Sequence, residues 1–130
     1  MDNEELLGKE LSNLYAISKQ VNTFFNGSNI SFLNERRKTM LEDYLKLSCK
    51  YENEIAETLR NIKVNPGNTT DSIVDEITEN LQEVISQKGY KKDSKQLSYM
   101  MSLNRLISYH VANIENIGFL LNEVELKNVS

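Results

Sequence analysis

Apolar residues recur along this chain in steps of three and four, broken by three short polar stretches, and that spacing predicts helices rather than strands. In the first segment the stripe is Leu7, Leu11, Leu14, Ser18, Val21 and Phe25, the seam of a packed helix. Asn26-Gly27-Ser28-Asn29 follows as a loop, with Gly27 placed for a left-handed C-terminal cap. A second helix is expected from about Phe32 to Ile62. It puts Met40, Tyr44, Leu47, Tyr51, Ile55, Leu59 and Ile62 in line, with Glu42, Asp43, Lys46, Lys50, Asn53, Glu57 and Arg60 opposite. At 1.5 Å per residue it would run roughly 45 Å, a rod that needs neighbours along its length.

Residues 64–70 hold the only proline, Pro66, followed by Gly67, and read as the second loop. The third helix is expected from about Asp71 to Gln87, with Ile73, Ile77, Leu81 and Val84 in line and acids in its first turn, opposing the helix dipole. Gly89-Tyr90-Lys91-Lys92 reads as the third loop. Asp93 with Gln96 then resembles a capping box that opens the fourth helix. Its stripe is Met100, Leu103, Ile107, His110, Ile114, Ile117, Leu121 and Val124. Connections of about four to eight residues make consecutive helices antiparallel neighbours. The expected architecture is all-α: an antiparallel four-helix bundle, with helices 1, 2 and 4 long and helix 3 short, occupying residues 1–130 as a single domain.

Composition changes this picture little. Of 130 residues, 39% are hydrophobic and 26% charged, the balance of an ordinary soluble protein with a core that needs no metal or disulfide. The net charge of −4 is spread in mixed signs. No basic stripe stands ready to displace counterions, so neither nucleic acid nor a membrane surface is an expected partner. No apolar run approaches the roughly 18 residues of a membrane span. The acidic start Met1-Asp2-Asn3-Glu4-Glu5 carries no secretory signal. With Cys49 as the lone cysteine, a reducing compartment, the cytoplasm, is expected. Asn26-Gly27-Ser28 and Asn68-Thr69-Thr70 match the glycosylation pattern but read as loop chemistry there.

Few residues offer chemistry. A di-metal bundle site needs inward carboxylates and Glu-x-x-His pairs. The only histidine is His110, and three residues before it stands Ile107. Glu52, Glu54, Asp75, Glu76 and Glu79 fall mostly on solvated faces. A lone bundle histidine could accept a phosphoryl group, but such residues sit exposed with a lysine and a glycine following, and here Val111-Ala112-Asn113-Ile114 follows. The expectation is a core imidazole bonded to Ser18, Tyr44 or Tyr51. Cys49, between Ser48 and Lys50, reads as a small helix residue rather than an activated thiol. Tyr15, Tyr44, Tyr51, Tyr99 and Tyr109 read as core aromatics whose hydroxyls reach the bundle edge. Arg36-Arg37-Lys38, offset by Glu35, Glu42 and Asp43, and Lys91-Lys92 read as solvated faces. Phosphate loops, nucleophile elbows and zinc spacings are absent. No catalytic, cofactor-binding or metal-binding residue is therefore assigned, and no cofactor.

The string Glu10-Leu11-Ser12-Asn13-Leu14-Tyr15-Ala16-Ile17-Ser18-Lys19-Gln20 resembles the opening of the YciE/YciF-like family, small bacterial ferritin-like proteins associated with stress responses. That family shows a Leu-x-x-Leu-Tyr-x-Ala-Glu-Lys-Gln pattern there. The likeness continues through helix 2 into Asn65-Pro66-Gly67 and returns at Asn104-Arg105-Leu106-Ile107-Ser108-Tyr109-His110, where the family has Val-Glu-His-Tyr-Glu. The resemblance implies a ferritin-like bundle and a stress-linked or structural role. It implies no metal ligands, because the family's inward glutamate falls on Ser18 and its later acidic and histidine positions fall on Ile107, Ser108 and His110. Relatives usually have a further helix, so the missing layer falls to the short third helix or to a second subunit.

Three classes of function follow. The first is a metal-free, non-catalytic ferritin-like protein that acts through association, as a homodimer. The second is an adaptor, inhibitor or immunity-type protein that binds a protein partner through an exposed apolar or tyrosine-rich patch. The third is an oxidoreductase with an unconventional metal site.

Overall fold

The computed structural model describes the backbone of residues 1–129 and the side chains of residues 1–124. Four helices and no strand occur among the described residues: α1 (Asn3–Phe25), α2 (Glu35–Asn61), α3 (Ser72–Ser86) and α4 (Lys92–Val129). No helix is long and apolar enough to cross a membrane among the described residues. The protein is an all-α four-helix bundle.

Local chemistry sets the helix ends. The Asp2 carboxylate accepts the Glu5 N–H at 2.8 Å and starts α1, and Gly27 leaves it with φ +81°, where a side chain would be strained. α2 starts at Glu35 because the Asn34 side chain accepts the Arg37 N–H at 2.9 Å. Phe32 and Leu33, expected inside that helix, belong to the approach: Leu33 is buried, and Phe32 meets the Tyr99 ring edge-on at 5.2 Å. α2 ends with Lys63 at φ +58°. There the Val64 N–H reaches the Leu59 carbonyl at 2.9 Å and the Lys63 N–H reaches that of Arg60 at 3.1 Å. These are the paired bonds of a Schellman motif, and Val64 packs against the cluster that holds Leu59.

Two apolar clusters fill the interior. One joins Ile17, Val21 and Phe25 of α1 to Leu41 and Tyr44 of α2, Val74, Leu81 and Val84 of α3, and Tyr99, Leu103 and Leu106 of α4. The other joins Leu7, Leu11 and Leu14 of α1 to Ile55 and Leu59 of α2 and Ile117 of α4. α1 approaches all three other helices, and α4 approaches α1 and α3. α3 thus covers one end of the bundle. At the other end Val64, from the connection before it, lies over Gly8, where an added Cβ would come within 3.3 Å of it.

The α1 stripe is buried at every position expected. On α2 the inward face is rotated by one residue over its first half. Leu41, Tyr44 and Ser48 are buried, while Met40 and Leu47 are exposed, as is Ile62 at the far end. Tyr44 reaches His110 of α4, Ser48 lies against the Ser18 carbonyl of α1, and Leu41 joins the cluster that holds Tyr44, so these three define the inward face and Leu47 lies outside it. On α3 Val74 replaces Ile73 in the core, and on α4 Leu121 faces out.

Candidate functional site

At His110 three helices bring polar side chains together inside the bundle. Ser18 from α1 and Tyr44 from α2 lie on the inward stripes of their helices and meet it on opposite sides. Ser18 Oγ is 3.0 Å from Nε2 and the Tyr44 hydroxyl is 2.7 Å from Nδ1. The two rings stand edge-on at 5.6 Å. Ser48 Oγ lies 3.5 Å from the Ser18 carbonyl and donates toward it. Ser18 is 0% exposed and His110 1%. The expected partners Ser18 and Tyr44 are both used; Tyr51 is half-buried in the other cluster.

A phenol is a stronger donor than an alkyl hydroxyl, so we assign the Tyr44 O–H as donor to Nδ1, which leaves the Nε2–H to donate to Ser18 Oγ. Burial lowers the imidazole from its usual 6.5 to about 4 and raises the Tyr44 phenol above its ordinary value. All three groups are therefore neutral at physiological pH. The order Ser–His–Tyr copies a nucleophile–base pair with a hydroxyl in place of the orienting carboxylate. A base must be reachable and must be able to hold the proton it takes. Here burial disfavours the imidazolium, and no surface opens onto Ser18.

A second polar centre went unread in the sequence. Asp71, buried at the start of α3, caps it through Oδ1 to the Val74 N–H at 2.9 Å. Its Oδ2 accepts the Tyr109 hydroxyl at 2.6 Å and the Asn13 amide at 3.1 Å. Gln20 clasps its backbone, accepting the Asp71 N–H at 2.8 Å and donating to the Asp71 carbonyl at 3.0 Å. Burial, followed by the bond and charge of Asp71, pushes the Tyr109 phenol up to about 12. Asp71 looked like an ordinary first-turn acid; its spacing from Gln20 and Tyr109 in the chain carries no signal.

Gln96 also differs from its expected role. Rather than serving Asp93, its Oε1 accepts the Asn34 N–H at 2.9 Å and the Arg37 guanidinium at 3.1 Å. Among the described residues, no three His, Cys, Asp or Glu side chains converge as a metal site would require. The chain matches no known family, no characterised protein and no solved structure. Cys49 is exposed on α2. A cleft of about 440 Å³ lies between α1 and the start of α3, lined by Lys19, Thr23, Thr69, Thr70 and Asp75 among others. Gln20 on its wall is already engaged by Asp71 and by the Asp75 carboxylate at 2.7 Å.

Proposed function

We propose that this protein is a non-catalytic, ferritin-like bundle of antiparallel helices that works through association, as a homodimer in a reducing cytoplasm, in a structural or stress-linked role. Antiparallel order is supported by the two clusters: the start of α1 shares one with the end of α2, and the end of α1 shares the other with the start of α2. A lone exposed thiol at Cys49 suits a reducing compartment.

One observation carries the functional reading. The polar groups around His110 and Asp71 are turned inward and bonded to one another, whereas large apolar side chains are turned outward on α4: Leu97 is 52% exposed, Met101 56% and Phe119 67%. Exposed apolar surface gathered on one element marks a binding face more than a reactive one. The adaptor reading is favoured by a separate observation, the exposure of Met40 and Leu47 on α2.

Light scattering on the eluting intact chain separates the two. A homodimer gives twice the chain mass of 15.0 kDa at high concentration. A single-chain mass at every concentration would contradict self-association and leave the adaptor.

A further inference from the structure

From Gln96 to Ile114 the only charged side chain is Arg105, because His110 is held neutral in the core. In a chain of 26% charged residues this leaves the outward face of α4, from Leu97 to Phe119, with two charges, Arg105 and Glu115. Leu97, Met101, Ser108, Ala112 and Phe119 are all exposed, and at about 100° per residue they fall within roughly 60° of one another around the helix.

We propose that this face of α4 packs against the same face of a second copy, antiparallel, about a two-fold axis at Ser108. The inference rests on the homodimer reading and names its surface. Positions symmetric about Ser108 complement each other. Leu97 of one copy meets Phe119 of the other, apolar on apolar at both ends. Ser108 meets its own mate and Ala112 meets Asn104, so the centre has small side chains and the helices can approach closely. Arg105, the one base, lies opposite position 111 of the other copy, one turn or about 6 Å from Glu115, the nearest acid on that face. Two copies of a chain of net charge −4 repel over most surfaces, whereas between Leu97 and Phe119 this face carries one base and one acid, Arg105 and Glu115. A foreign partner would have no reason to match the two-fold arrangement of Leu97, Ser108 and Phe119.

Paired cysteine variants in a Cys49→Ser background test the register. Ser108→Cys is expected to form a reducible covalent dimer on mild oxidation, since its mate lies across the axis. Met101→Cys is expected to form none, because its copies stand fourteen residues apart along the pair, about 21 Å, far beyond the roughly 7 Å that a disulfide spans between Cα atoms. Ala112→Arg, at an exposed position, is expected to weaken dimerisation roughly tenfold or more while leaving the circular dichroism unchanged. A wild-type dimer that survives Ala112→Arg, with no Ser108→Cys cross-link, overturns this face and leaves the homodimer reading standing. A wild-type chain that is monomeric throughout overturns both and gives the face to a different protein.

Discussion

Tyr44 and Ser18 supply His110 with one donor and one acceptor, the full set a neutral imidazole can use. That match makes the fold sensitive to acid. In the unfolded chain the imidazole titrates near 6.5, and in the fold burial lowers it to about 4. Between those values the unfolded chain holds the extra proton, so stability is complete above pH 6.5 and falls as the pH drops toward 4. At about 1.4 kcal/mol per pH unit the loss reaches roughly 3 kcal/mol. Urea unfolding from pH 7 to pH 5, above the range where carboxylates titrate, is expected to show this slope in the wild type and not in His110→Gln. A His110→Gln protein with the wild-type slope would assign it elsewhere. The placement of His110 was readable, since it stood on an apolar stripe among hydroxyls. Asp71 was not: nothing in a chain reports that a carboxylate 58 residues from Asn13 and 38 from Tyr109 will be bonded by both.

The helix starts share a device. A capping box needs a side chain at the third helical residue that accepts the N–H of the cap residue. At α2 that residue is Arg37, and at α3 it is Val74; neither can accept. In both cases a glutamine from another helix does so: Gln96 for Asn34 and Gln20 for Asp71. Each bond ties a helix start to its neighbour as well as capping it. Gln96→Met keeps the volume but strands the Asn34 N–H and the Arg37 guanidinium, a cost of about 1–3 kcal/mol. Gln96→Glu keeps the acceptor and adds charge opposite Arg37, so its melting temperature should stay near or above that of the wild type. Equal losses in both variants would show that Gln96 acts by packing alone. Gln96 read as the partner of Asp93 and Gln20 carried no reading of its own, because the caps they complete lie 62 and 51 residues away.

At the scale of the whole molecule, legibility follows burial. α1 touches every other helix, and its stripe from Leu7 to Phe25 was correct at each position. α2 offers two adjacent apolar choices, Met40 and Leu41, and periodicity alone cannot decide between them; its contact with α1 and the Tyr44–His110 bond do. The exposed apolar face of α4 was hidden for a related reason. Leu97, Met101 and Phe119 lie off the strongest stripe, among serines and asparagines. Ion pairs contribute little to holding this arrangement, as those between described residues, Lys38–Glu35 and Lys50–Glu54, lie at the surface. On the proposed reading, the polar interior of this bundle serves cohesion and its outer surface serves contact. Nitrogen-15 NMR of the His110 imidazole across pH tests that division most directly. The account predicts a neutral ring with its proton on Nε2, unchanged from pH 8 to about pH 5 and titrating near 4. A midpoint near the free value of 6.5 in the folded protein would contradict it, because it would mean that the ring is open to solvent and to substrate.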